Sequence, residues 1–160
     1  MRILKAAALF SGAAMLACAA GCDAREEYTI SIRNLTEAEI SEINIYPDNG
    51  AVSYENVLEE NLAYGAQTEV TIGDFTEEEI KNGFDLLVTN AEDGSQGDFS
   101  MLFFDSGDTI TFYLDDWGLA VGVNLTDEEV QEQIAQEHEL FMEAIEEMEA
   151  EETDSAESEE

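Results

Sequence analysis

Few side chains in this 160-residue chain are suited to covalent or metal chemistry, and their positions are restrictive. Both cysteines, Cys18 and Cys22, lie near the start of the chain, and none follows. A thiolate nucleophile or thiolate metal site needs its sulfur inside a folded framework, so neither chemistry has a residue to use after position 22. The one histidine is His138. It stands among apolar residues at helical spacing, which makes it a packed or solvated helix position before it is a catalytic base. Carboxylates are so numerous that no pair stands out. A carboxylate-based hydrolase of the glycosidase kind needs two acids at a set separation across a sugar-binding cleft, and a short chain with one Trp offers little wall for it. A divalent cation is the more physical option, because turn aspartates present hard oxygen ligands. Asp93, Asp105, Asp108, Asp115 and Asp116 are the candidates, in loops that a β-fold could bring to one end. They lack EF-hand spacing, and aspartate in a turn ordinarily caps backbone N–H groups. No cofactor is implied.

The two thiols suit a different use. Met1-Arg2-Ile3-Leu4-Lys5 is a short positive segment, followed from Ala6 to Ala17 by an uncharged, mostly apolar run. That run is shorter than the roughly 20 residues a membrane-spanning helix needs, and it reads as a secretory signal peptide over residues 1–21. Ala19-Ala20-Gly21-Cys22 closes it, and charge begins at once with Asp23, Arg25, Glu26 and Glu27. The segment resembles the lipobox of bacterial lipoproteins. The resemblance implies that a diacylglyceryl group is attached to the Cys22 thiol and that cleavage makes this residue the new N-terminus. Met15-Leu16-Ala17-Cys18 has the better aliphatic flank and keeps Cys18 as the alternative. An ordinary signal peptide with incidental cysteines, or a Cys18–Cys22 disulfide, is the plainer reading; so short a loop would gain little from a cross-link. A single acyl chain holds a protein only marginally and two hold it well. The expected location is therefore the extracytoplasmic face of a bacterial cell membrane, with the membrane as a partner through the N-terminal lipid.

Charge narrows the other partners. The chain has 39 acidic and 5 basic residues. Once Arg2 and Lys5 leave with the signal, only Arg25, Arg33 and Lys81 remain, and the net charge is 3 − 39 = −36. Nucleic acid and anionic headgroups would repel such a surface, so any anchor works against electrostatics.

The elements that would carry these residues read clearly. After a tether over 22–27, apolar residues recur at period two: Tyr28, Ile30 and Ile32; Ile43 and Ile45; Val70 and Ile72; Leu86 and Val88; Phe99, Met101 and Phe103; Ile110, Phe112 and Leu114; Leu119, Val121 and Val123. Alternation is the mark of half-buried strands, and the separators carry turn residues, as in Glu92-Asp93-Gly94-Ser95 and Asp105-Ser106-Gly107-Asp108. About seven strands over 28–124 predict a mainly β fold, an antiparallel β-sandwich. Phe84 to Val88 and Met101 to Phe104 are apolar on both faces, which calls for a covering element or leaves a contact patch.

Phe75-Thr76-Glu77-Glu78-Glu79-Ile80 and Leu125-Thr126-Asp127-Glu128-Glu129-Val130 each form a capping box with its hydrophobic staple. The first predicts a helical turn ended by Gly83. Leu35 to Ile40 has the same form but reads as a hairpin feeding a strand. The second opens an amphipathic helix over 126–149, whose stripe of Val130, Ile134, His138, Phe141, Ile145 and Met148 recurs at three and four residues. Its other side is nearly all Glu, with like-charged pairs at i and i+4. Such a helix needs something to bury its stripe, so it is the expected contact for a protein partner. From Ala150 to Glu160 the chain reads as an acidic disordered tail.

Ile43-Asn44-Ile45-Tyr46-Pro47, Tyr54-Glu55-Asn56-Val57-Leu58, Gly65 and Phe84-Asp85-Leu86-Leu87-Val88 with Glu92-Asp93-Gly94 resemble a small secreted β-domain found in bacterial lipoproteins. The likeness spans about residues 28–114 and departs at Glu37, where a turn glycine is usual, at Tyr54, where tryptophan is usual, and at the additional Thr76 segment. It implies a sandwich at a cell surface and carries no activity or site. The expected function is a lipid-anchored, non-catalytic binding module.

Overall fold

The computed structural model describes residues 25–49 and 55–157, with side chains as far as Met148. The expected signal segment, with Cys18 and Cys22, lies outside the described residues. Seven strands form two sheets: β1 (Glu26–Leu35), β2 (Ile40–Pro47), β3 (Gln67–Phe75), β4 (Phe84–Asn90), β5 (Gln96–Leu102), β6 (Thr109–Asp115) and β7 (Gly118–Val123). One helix follows, α1 (Asp127–Glu157). The larger sheet has the order β3-β1-β6-β7 and the smaller β2-β4-β5. Mainly β, two sheets and a C-terminal helix is the architecture that the alternation predicts.

The core lies between the sheets. Ile30 and Ile32 of β1, Ile43 of β2, Leu86 and Val88 of β4, and Ile110 and Phe112 of β6 are buried and supply its centre. At one end Phe84 stacks on Phe104 with ring centroids 4.4 Å apart, and Tyr28 and Phe75 close around it. Buried apolar area of this kind is the main favourable contribution to folding.

Four differences from the sequence reading have physical causes. Four of the strand pairs are antiparallel, but β1 lies parallel to β6, from Ser31↔Thr109 to Leu35↔Tyr113. Alternation fixes which face a residue takes and is silent on strand direction. Second, Leu35 to Ile40 is a crossing between sheets, not a hairpin, because β1 and β2 do not pair. Asn34 organises it. Its amide donates to Ala38 O at 2.7 Å and Leu62 O at 2.8 Å, and its Oδ1 accepts from Thr36 N–H at 2.9 Å and the Thr36 hydroxyl at 2.8 Å. A fully buried side-chain amide thus has every polar valence occupied.

Third, Met101 takes a left-handed φ of 57°, and the β4–β5 register shifts between Phe84 and Leu86. The extra residue reverses the alternation. Phe99, Leu102 and Phe104 face the core, while Met101 and Phe103 are left 64% and 66% exposed. The backbone passes close to Gly83, where an added Cβ would sit 2.6 Å from Leu102 O. Fourth, the regular elements overrun the expected ends: β1 begins at Glu26, inside the expected tether, and α1 continues from 149 to Glu157. Glu and Ala are strong helix formers, and a helix already nucleated extends at one hydrogen bond per residue.

Both capping boxes form. Thr76 N–H donates to Glu79 Oε2 at 2.9 Å and Glu79 N–H to Thr76 Oγ1 at 3.3 Å, a single turn ended at Gly83, whose φ is 88°. Thr126 and Glu129 repeat the exchange at 2.8 and 3.3 Å and start α1.

Candidate contact surface

The outer face of the four-stranded sheet explains where the helix goes. Thr111 and Tyr113 point outward from β6, away from the core, yet both are buried. Arg33, on the outward face of β1 and paired in register with Thr111, donates through Nε to Thr111 Oγ1 at 3.3 Å. Its guanidinium also donates to Leu125 O at 2.9 Å and pairs with Asp127 at 2.6 Å. One arginine thus joins two strands to the start of α1, a geometry its planar fork of donors suits. Val130 in the first turns of α1 is only 1% exposed, and the Tyr113 hydroxyl donates to Gln133 Oε1. Burial, and then the charges of Asp115 and Glu137, push the Tyr113 phenol up. Hydrogen bonding from the Thr126 backbone N–H, then from its hydroxyl, holds the Glu129 carboxyl below its usual range.

Along α1 the stripe changes character. Val130 belongs to the protein's own packing and Ile134 is half-buried. His138 is largely exposed, with Nδ1 2.6 Å from Asp116 Oδ2 in the β6–β7 turn. Phe141 meets Trp117 of the same turn edge to face, at 4.9 Å between ring centroids. Beyond that ring pair the cover thins: Ile145 is still half-buried, and Met148 is exposed. The helix continues through residues 142–157, a further ~24 Å at about 1.5 Å per residue. Ile145 and Met148 extend the stripe over this stretch, with Leu140 and Met142 beside it; Leu140 is 54%, Met142 45% and Met148 60% exposed. The expected interaction residues therefore divide into an inward group, Val130 and Ile134, a joint at His138 and Phe141, and half-buried Ile145 at the start of the overhang.

The turn aspartates do not converge. Asp105 and Asp108 precede β6, Asp115 ends it and Asp116 follows, so a seven-residue strand holds the pairs about 20 Å apart. Asp93 lies at the Asp115 end, where a cleft of about 280 Å³ takes Asn90 and Ser95 from one hairpin and Leu114 and Leu119 from the other. Three of the five accept from backbone N–H groups. Asp93 Oδ1 accepts from Ser95 N–H at 2.9 Å, Asp108 Oδ2 from Asp105 N–H at 2.7 Å, and Asp115 Oδ1 from Trp117 and Gly118 N–H at 2.8 and 3.0 Å. The Ser95 hydroxyl and N–H hold the Asp93 carboxyl low. Among the described residues no three His, Cys, Asp or Glu side chains are placed to hold a metal ion. A wider cleft of about 610 Å³ between the 57–62 segment and β3 presents Glu59, Glu60 and Glu69, all on exposed residues.

Arg33, Asn34, Gln133 and Trp117 are the positioning residues that the sequence reading missed. Arg33 had one signal, as one of only three basic residues after Cys22. Among the described residues all three are ion-paired, Arg25 with Glu79, Arg33 with Asp127 and Lys81 with Glu78.

No protein-family profile matches the chain, and no curated protein matches it. Among solved structures it is similar to the NMR structure of a protein from Eubacterium rectale, at 14% identity and a TM-score of 0.44, over 64% of this chain and 92% of that one.

Proposed function

We propose that this chain is a lipid-anchored, extracytoplasmic, non-catalytic module that holds another protein through the far half of α1. The observation that carries the reading is the overhang: an amphipathic helix that runs on to Glu157 with Ile145 half-buried and Met148 exposed on the same stripe. Apolar residues on a projecting helix serve as anchors for a partner groove. Support for the anchor comes from the sequence around Cys22, with Cys18 as the alternative. A non-catalytic role fits the exposed setting of Glu59, Glu60 and Glu69 in the larger cleft, since catalytic acids and bases ordinarily stand in sheltered positions.

Two measurements test it. The intact mass of protein extracted from membranes should equal the chain from Cys22 or Cys18 plus a diacylglyceryl group; an unmodified thiol at both positions removes the anchor. Crosslinking in intact cells should join a protein to positions 142–148, and loss of residues 142–160 should abolish that adduct. An adduct that persists without those residues removes the helix as the contact.

A further inference from the structure

Two sheets have four edges, and an exposed edge offers a row of unpaired N–H and C=O groups to any other strand. Three edges here are blunted. The 56–62 segment covers β2 through the bridges Asn44↔Asn56 and Ile40↔Leu62. β3 carries Glu69 and Asp74 and a bulge beside Gly73. β5 carries Asp98 and turns at Met101. β7 has none of these devices. Gly118-Leu119-Ala120-Val121-Gly122-Val123 holds no charge and no proline, and it pairs with β6 in unbroken register from Ile110↔Val123 to Asp115↔Gly118. No other strand pairs with it among the described residues.

The ladder fixes what this edge presents. Asn124 N–H donates to Thr109 O at 2.7 Å, and bonded pairs recur at every second residue of an antiparallel ladder. Gly122, Ala120 and Gly118 therefore bond to β6, while Leu119, Val121 and Val123 turn their N–H and C=O groups outward. The side chains of those three pack against the core, so the edge is held in one register.

Charge selects the occupant. Asp115 stands at one end of β7, and Asp108, bonded to Asn124 at 2.7 Å, at the other. Neither has a cationic partner among the described residues. A second copy paired antiparallel would bring Asp115 of one molecule toward Asp108 of the other, an opposition of like charges. A segment with Lys or Arg at both ends meets a carboxylate at each.

We infer that the β7 edge is a strand-addition site for an extended, β-prone segment of another protein, apolar at its centre and flanked at both ends by Lys or Arg. The site is distinct from the helix overhang and stands or falls separately from it. The test is residue-resolved hydrogen exchange on the full chain in detergent micelles, with the peptide Lys-Lys-Val-Thr-Val-Thr-Val-Lys-Lys as probe. Saturating probe should slow exchange of the Leu119, Val121 and Val123 amides about ten-fold and leave Ala120 and Gly122 unchanged. The same core flanked by Glu should have no effect, nor should the Lys-flanked peptide N-methylated at alternate residues. Val121→Pro removes an outward N–H while sparing the ladder and should abolish the protection; the N-methylated probe keeps the test decisive if that variant fails to fold. Removal of residues 142–160 should leave protection intact, even if it destroys helix-mediated capture. Unchanged exchange up to the probe's solubility, protection confined to α1, or protection at β7 without probe that tracks protein concentration would each overturn the inference, the last by identifying a second copy.

Discussion

Two truncations separate the docked half of α1 from its overhang, and the structure sets what each should cost. Removing residues 126–160 uncovers the β6 face and loses Val130, about 1.5–3 kcal/mol of burial. Half-burial of Ile134 and Phe141 adds about half as much each. The Thr126 cap contributes about 1 kcal/mol, and the bond from the buried Tyr113 hydroxyl to Gln133 about 1 kcal/mol. Against these stands helix nucleation, about 4 kcal/mol, which the shortened chain no longer incurs. The net loss is about 3 kcal/mol, enough to lower Tm by roughly 15 °C and leave the sandwich folded. Removing residues 142–160 instead takes away only the half-buried Ile145 among the larger covered side chains, so stability should fall by about 1 kcal/mol. Urea titration followed by circular dichroism at strand wavelengths reads both. Equal losses from the two truncations, or no loss from the longer one, would refute the division of the helix at Phe141.

Trp117 is the one tryptophan and rests against Phe141, so Phe141→Ala should red-shift its emission while the circular dichroism of the strands stays unchanged. Asn34→Asp places a carboxylate oxygen against Ala38 O and Leu62 O in a fully buried site, and chemical denaturation should show a loss of about 3 kcal/mol or more. Glu129 is more acidic folded than unfolded, so its contribution is present above the ordinary carboxylate range and lost as pH falls through its folded value. The stability gap between the native chain and Glu129→Ala should be open at neutral pH and close on acidification. A gap independent of pH would remove the ionised cap from the account.

Legibility from sequence follows the range of the interaction concerned. Alternation located all seven strands, because burial of one face is a local periodic demand. The capping boxes at Thr76 and Thr126 were readable because donor and acceptor lie three residues apart. At Thr36 the same local form was read as a hairpin, and the structure makes it a crossing between sheets: its hydroxyl is bonded to Asn34, and Asn34 in turn to Leu62, far along the chain. Met101 could not be foreseen either, since a bulge is set by the partner strand and inverts every later position. At the contact surface, the stripe of α1 was legible as a pattern. Its division between Val130, turned inward, and Met148, left outside, depends on where the sheet ends.

The parallel pairing of β1 with β6 also sets a schedule. Arg33 and Thr111 are register partners 78 positions apart, so β1 can acquire its neighbour on that side only after most of the chain has been made. Until then Ile30 and Ile32 have half a shelter, from β3 alone. Closing so long a loop before the contact rewards it slows folding, and a waiting apolar strand is prone to pair wrongly. A chain arriving N-terminus first would thus spend its vulnerable interval with its earliest strand unfinished, and refolding should be limited by this closure rather than by the hairpins.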